Sequence, residues 1–314
     1  MSKLGRIIKK VAESSITPDS FFDFYFNIKN RRNKQRLLQQ LENGSEINHL
    51  MNEKNKAHWQ PRIQNVMSSK DNLAIPRHSN AGQIIDESLI MHNGIKVEPL
   101  SYYNVGMLKM LKDNKGVHEP QEEKIFQEVL NTLDQKQNKT MLELGAYWSF
   151  YSMWFLEQFP NSNCFMVEPE RMNLFYGKAN FRLNNFKGTF IQAGIGKQVD
   201  KNNRILTVDE ICQQNNIKFL DILHSDIQGF EADMLEGSHK MLLEKKVGYV
   251  FVSTHSNELH EACFQILKNK YHYKLVASAN VDESFSWDGI LVMKLPGYPG
   301  IDQVDISKRR TNGA

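Results

Sequence analysis

Short apolar runs, each closed by an acidic or small residue and each followed by a helical pattern, organise the chain from about residue 116 onward. Met141 to Leu144, Cys164 to Val167 and Leu220 to Leu223 are of this kind. Uninterrupted runs of this length suit strands buried on both faces of a parallel sheet. The pattern predicts strands near 140–144, 163–168, 188–192, 219–225, 247–253, 272–278 and 288–294. A helix is expected over Gln121 to Leu133, where Ile125, Val129, Leu130 and Leu133 recur at helical spacing. Further helices are expected near 150–158, 171–184, 207–215, 230–244 and 257–269. Strict alternation of strand and helix implies an α/β fold with a doubly wound, mostly parallel sheet.

Residues 1–100 follow another pattern. Leu4, Ile7, Ile8 and Val11 make a short apolar stripe among Lys3, Arg6, Lys9 and Lys10. Thr17-Pro-Asp-Ser20 then leads into the aromatic cluster Phe21 to Phe26 and a basic, helix-like run from Lys29 to Leu41. A basic amphipathic start can lie on an anionic membrane, but a stripe this short fits better a helix docked on the domain or on a partner chain. Asn43 to Asn80 is polar and reads as loop. Ser88 to Val97 has two β-like runs around Asn93-Gly94, a favoured hairpin dipeptide. Such a hairpin, with Tyr102 and Tyr103 after it, serves either as a cap over substrate or as a platform under the first helix. The expected division is therefore 1–80 helical and loop extension, 81–115 hairpin segment, 116–296 sheet domain and 297–314 polar tail.

Composition narrows the classes. Lys+Arg 39 against Asp+Glu 36 gives a net charge of +3, too balanced to advertise nucleic acid as the main partner. Cys164, Cys212 and Cys263 are an odd, scattered set without C-x-x-C spacing, so neither a zinc site nor a disulfide framework is implied. No apolar run approaches transmembrane length and the start lacks a signal-peptide core. A cytoplasmic protein is the expectation, with contact to a membrane surface or partner protein through the N-terminal region, and homo-oligomer formation, left open.

Ligands in open α/β sheets sit at the carboxyl ends of the strands. Glu143 and Gly145 close the first strand here, and Glu168 closes the second. A carboxylate at the second tip can take both ribose hydroxyls of a nucleoside, and glycine admits close backbone approach. A nicotinamide site would need G-x-G-x-x-G, whereas Gly145 opens Gly-Ala-Tyr-Trp-Ser-Phe, and no Gly-Lys-Ser/Thr phosphate loop occurs. A ribose without a phosphate cradle points to S-adenosylmethionine.

From about Gly116 to Lys294 the chain resembles the FkbM-type S-adenosylmethionine-dependent methyltransferases. The matching pieces are Val117-His-Glu-Pro-Gln-Glu-Glu123, Leu142-Glu-Leu-Gly-Ala-Tyr147, Val167-Glu-Pro169, Ala193-Gly-Ile-Gly196, Leu206-Thr-Val-Asp209, Asp221 to Glu231 and Trp287-Asp-Gly-Ile290. The resemblance implies a seven-stranded, Rossmann-like class I methyltransferase fold whose last strand, Asp288 to Lys294, inserts antiparallel. It also implies methylation of hydroxyls on sugars and natural products. Two places depart from the family pattern: Asp226-Ile-Gln228-Gly229 stands where Asp-x-Glu-Gly is usual, and His224 where a lysine is usual.

On this frame the cofactor candidates are Glu143, Gly145, Tyr147 and Ser149 on the first loop, Glu168 at the ribose, and Gln192 and Ala193 flanking the adenine. Tyr102, Tyr103 and His118 are acceptor-side candidates. Methyl transfer to a hydroxyl needs alignment and a proton acceptor. Asp226 ends the fourth strand, and His255 stands just past the fifth, in Val252-Ser-Thr-His-Ser256. A histidine titrating near neutrality suits a general base, so His255 takes that role and Asp226 holds the hydroxyl or orients the imidazole. A rival mechanism places Mg²⁺ or a transition ion on Asp226 and His255, with Glu231 or His224. Gln228 removes one carboxylate and so weighs against that metal. The expected function is O-methylation of a sugar hydroxyl in a glycan or glycosylated metabolite. Methylation of a non-sugar small molecule, and a degenerate fold serving as a scaffold subunit, are the alternatives.

Overall fold

A computed structural model describes residues 19–43 and 46–309, in two compact units divided between Asn52 and Glu53. The amphipathic start from Leu4 to Val11, and Thr17-Pro18, lie outside the described residues. In the first unit the basic run forms helix α1 (Asp19–Glu42), followed by the single turn α2 (Ile47–Leu50). No described helix is long and apolar enough to cross a membrane.

The second unit opens with a departure from expectation. The polar stretch read as loop contains α3 (Glu53–Ser68). Trp59, Arg62, Ile63 and Val66 are its buried positions, a narrow stripe at helical spacing that the polar background and Pro61 conceal. A meander comes next: β1 (Ile84–Ile85), β2 (Ser88–Ile90) and β3 (Lys96–Val97), all antiparallel. Asn93-Gly94 does lie in the turn, within a five-residue connection closed by the Met91 N–H donating to the Ile95 carbonyl at 2.8 Å. Then come α4 (Val105–Asp113) and α5 (Pro120–Thr132). Ile125, Val129, Leu130 and Leu133 are buried, as the spacing predicts, and Phe126 is buried with them.

The remaining elements are β4 (Thr140–Leu144), α6 (Phe150–Gln158), β5 (Asn163–Val167), α7 (Arg171–Leu183), β6 (Thr189–Ile191), the short pair β7 (Gly194–Ile195) and β8 (Ile205–Leu206), and α8 (Val208–Gln214). After them stand β9 (Leu220–Ser225), α9 (Glu231–Gly237), α10 (His239–Leu243), β10 (Val247–Thr254), α11 (Asn257–Gln265), β11 (Lys274–Ala279) and β12 (Gly289–Lys294). Seven strands form one sheet in the order β11-β12-β10-β9-β4-β5-β6. β12 runs antiparallel to both neighbours and the others pair in parallel. Every residue of β10 and β12 is buried, the condition under which strand sequences read as continuous apolar runs. Leu142, Leu144, Leu223, Val250, Val252, Leu291 and Met293 carry the core across the sheet.

Local chemistry sets several boundaries. Thr207 caps α8 by accepting from the Glu210 N–H at 3.1 Å, and Ser256 caps α11 by accepting from the Leu259 N–H at 3.1 Å. The helix expected over 230–244 is broken at Ser238. Asp209 stabilises the break, because its carboxylate accepts from the Lys240 and Met241 N–H groups at 2.8 and 3.0 Å, capping α10 separately. The hairpin is packed into the fold: Leu89, Ile90, Met91, Ile95 and Val97 are buried. Its backbone at Lys96 and Glu98 donates to Asn184 and Asn180 of the α7 region, at 2.9 Å each. The polar tail is docked as far as Arg309. Val304 N–H donates to the Val276 carbonyl at 3.0 Å, and Ser307 N–H to the buried Asp71 at 2.9 Å. All three cysteines are buried and unpaired.

Candidate functional site at the strand tips

The strand order reverses at β4, between β5 on one side and β9 on the other. A cleft of about 530 Å³ opens there, at the place where such sheets bind ligands. Each wall is built from the segment just beyond a strand. The Gly145–Ser149 loop leaves β4 with Gly145, Tyr147 and Ser149 all at positive φ. Such clustering of sparsely populated conformations marks sites where backbone shape is imposed by surroundings.

Of the cofactor candidates, Glu143, Gly145, Tyr147, Glu168 and Ala193 line the cleft. Glu168 is buried, and its carboxylate accepts from the Tyr147 N–H at 3.1 Å, the Glu170 N–H at 2.8 Å and Asn173 at 3.3 Å. Burial raises its pKa against those hydrogen bonds. Glu143 lies on the floor, where it accepts from the Ser152 N–H at 3.2 Å. Burial pushes its pKa to about 7, against the charge of His224. Ser149 and Gln192 stand apart from the cleft wall. Ser149 is buried, with a Cβ on Gly177 falling 2.5 Å from its Oγ. Gln192 turns its amide onto the Pro169 carbonyl at 3.2 Å.

The acceptor-side candidates separate by burial. Tyr102 is packed flat on Trp148, ring centres 4.5 Å apart and planes 3° off parallel. Tyr103 is 43% exposed at the mouth, its N–H donating to the Tyr147 hydroxyl at 3.2 Å. His118 is buried, with Nδ1 2.7 Å from Glu123 and Nε2 3.4 Å from Glu119. Burial opposes its charge, but the two carboxylates prevail and raise its pKa. Glu119 itself is pushed up to about 7 by burial. His224 is buried on the cleft floor with Nε2 2.6 Å from Glu122. Glu122 and Glu143 outweigh its desolvation and raise its pKa.

The other tips converge on His255. β9 and β10 are parallel neighbours, with Ser225 opposite Val252, so Asp226 and His255 meet as the sequence suggests. His255 Nδ1 is 2.9 Å from Glu231, a fully buried carboxylate at the start of α9. Its Nε2 lies 3.3 Å from both Asp226 and Asp288, an ion-pair contact with each. Burial works against the imidazolium, yet contacts with Asp226 and Glu231 and the charge of Asp288 raise its pKa to about 10. Asp288 moves the other way for a carboxylate: burial and the Asp226 charge lift it to about 6, against the pull of His255. Gln228, at φ 57°, donates its amide to Asp226 at 3.1 Å.

Asp288 and Glu231 fall within sequence motifs, but sequence alone gives neither a primary role. Asp288 precedes β12, and only the antiparallel insertion of that strand, with Thr254 opposite Gly289, brings its start to the carboxyl edge of β10. Among the described residues no group of three or more His, Cys, Asp or Glu side chains is arranged to hold a metal ion.

Residues 91–275 match the model of the methyltransferase FkbM domain. The chain belongs to the FkbM methyltransferase family. Among solved structures it is similar to the FkbM methyltransferase of Methylobacillus flagellatus KT, with 19% identity and a TM-score of 0.41, over 50% of this chain and 43% of that one. It therefore spans less than half the length of that relative. Similarity extends to a precorrin-6y C5,15-methyltransferase from Geobacter metallireducens GS-15 (13% identity, TM-score 0.40, 55% and 88% covered). A putative O-methyltransferase from Klebsiella pneumoniae is also similar (10% identity, TM-score 0.38, 50% and 73% covered). No curated protein matches the chain. The family match takes in β3 to the start of β11 of this FkbM domain, and leaves out α3 and the Trp287-Asp288 corner.

Proposed function

We propose that the chain is an S-adenosylmethionine-dependent O-methyltransferase acting on a sugar hydroxyl of a glycan or glycosylated metabolite. One observation carries the reading: a single sheet edge holds a buried cleft carboxylate after β5, Glu168, and a carboxylate pair clamped by an imidazolium after β9 and before β12. The lining fits the cofactor. Glu168 keeps lone pairs for ribose hydroxyls beyond its three hydrogen bonds, and Ala193, Ile195 and Ile205 offer an apolar wall to a flat base.

When bound, the cofactor supplies a methyl group on a sulfonium, whose S–C bond breaks as the O–C bond forms and whose electron pair stays on sulfur. The chain's own residues must hold the hydroxyl in line, exclude water and take its proton. Sequence gives the proton to His255. The geometry favours a revision, because both ring nitrogens face carboxylates and a pKa of about 10 keeps the ring protonated at neutral pH. Asp288, at about 6, is ionised at neutral pH and close to the optimum for a base. We therefore assign the proton to Asp288, the orientation of the hydroxyl to Asp226, and the positioning of both carboxylates to His255 on Glu231. A metal on Asp226 and His255 would have to displace these ion pairs.

Sugar as the acceptor class rests on the mouth, where Tyr103 and Trp287 are 43% and 38% exposed with ring centres 6.4 Å apart. Exposed aromatic faces suit the apolar face of a pyranose. Incubation with methyl-labelled S-adenosylmethionine and fractionated extract is expected to label carbohydrate. Label in non-sugar metabolites would overturn the acceptor class, and cofactor binding with no label in any fraction would favour the scaffold alternative. Glu168→Ala is expected to weaken S-adenosylhomocysteine binding more than about tenfold, by roughly 1.4 kcal/mol or above. Calorimetric titration checks this, and unchanged affinity removes the ribose assignment.

A further inference from the structure

Beside the mouth lies a second groove that the mechanism does not use, walled by α3 and by the Phe285–Trp287 segment. Among the described residues its lining includes two arginines, Arg62 and Arg309, and no carboxylate. Arg62 is 4% exposed, and its Nε and Nη1 are enclosed with no hydrogen-bond partner among the described residues. A buried guanidinium left this way is costly, since each unmet donor forfeits its hydration without a replacement partner. What holds it is the Trp287 ring, 3.6 Å from the guanidinium carbon, with Trp59 at 5.7 Å. Cation–π attraction offsets part of a desolvation cost but supplies no acceptor. Among the described residues the Arg309 side chain bonds carbonyl oxygens, of Asp282 and Val281 at 3.2 and 3.3 Å. Asn65 and Ser68 add neutral polar groups to the same wall.

The groove adjoins the cleft through aromatic contacts. Trp287 immediately precedes Asp288, and Tyr103, which lines the first cleft, contacts both Trp59 and Trp287 at 6.0 and 6.4 Å. The charge on Arg62 is felt at Glu119, Tyr103 and Asp288.

We propose that this groove is a subsite for an anionic substituent of the acceptor, a phosphate or a carboxylate, which pairs with Arg62 while Trp287 covers the adjoining ring. The proposal rests on the acceptor hydroxyl lying at Asp226 and Asp288, and it narrows the acceptor to an anionic one. Guanidinium is the group suited to it, because its planar fork matches either oxyanion with two parallel hydrogen bonds. Trp287, partly exposed, is the ring that shifts to admit the anion to Nε and Nη1.

Tryptophan fluorescence reads the event directly, with inorganic phosphate in one titration and glucuronate in another. The expected result is a saturable change in the wild-type protein with at least one of the two, which tells the phosphate source from the carboxylate one. Arg62→Gln should weaken that binding at least about tenfold, and Arg62→Lys should recover only part of it. S-adenosylhomocysteine affinity, measured on the same variants, reports whether the sheet domain is intact. No saturable change with either anion in the wild type, or equal binding by an intact Arg62→Gln protein, overturns the subsite. Arg62-dependent anion binding without any S-adenosylhomocysteine binding would sink the methyltransferase reading and leave the subsite standing.

Discussion

Replacing Asp288 by asparagine is expected to lower turnover by about 10²–10⁴-fold, the range that a well-placed general base contributes, while S-adenosylhomocysteine affinity stays at the wild-type value. The substitution keeps the size of the side chain and its place 3.3 Å from His255 Nε2 but removes the charge that receives the proton. The pH profile carries the sharper signature. Burial raises Asp288 to about 6, and the base works only when ionised, so the wild-type rate should fall as pH drops through about 6. That acidic limb should vanish from the residual activity of Asp288→Asn. His255→Gln separates the roles, because it removes the cation between Asp226 and Asp288. The mutual repulsion of the two carboxylates then rises, and the limb should move to higher pH. A wild-type turnover number in Asp288→Asn returns the proton to His255 or Asp226.

The sheet was legible because its strands are buried on both faces and end in charged or small residues, which fixes both their position and their tips. All seven strands fall within two residues of their expected limits, and with them Glu168, Asp226 and His255. Features that depend on non-local contact were hidden. Asp288 gains meaning only through the register of an antiparallel strand. Arg62 lies on a helix with only three buried apolar positions, Trp59, Ile63 and Val66, in a polar background. The break at Ser238 is made by Asp209, which is close only in space. The tail reads as polar because its anchors, Ser307 and Arg309, bind through backbone and hydrogen bonds rather than apolar burial. Charge state was equally hidden, since the pKa of His255 is set by three carboxylates from three different segments.

Gly145→Ala is expected to destabilise the domain by on the order of 3 kcal/mol or more and to abolish cofactor binding. From sequence, Gly145 serves close approach of a ligand; in the structure the nearest obstacle is the protein's own backbone. A Cβ at this position would fall 1.7 Å from the Asp226 carbonyl oxygen and 2.7 Å from its carbon. Backbone cannot rotate aside as a side chain can, so β4 and β9 must part where the Asp226 N–H donates to the Leu144 carbonyl at 3.0 Å. Overpacking in a core commonly costs about 1–3 kcal/mol, and φ of +71° adds strain for any residue with a Cβ. Gly229 isolates the conformational part, because it has φ of +103° with nothing within 4 Å of its would-be Cβ. Gly229→Ala should therefore cost only about 1 kcal/mol, and comparison of the two urea denaturation midpoints checks the difference. Equal losses would mean that left-handed backbone alone, rather than strand contact, demands glycine at both tips. A larger loss at Gly145 would mean that the glycine holds Asp226 at the cleft edge, so the residue proposed to shape the cofactor loop also positions the carboxylate proposed to orient the acceptor hydroxyl.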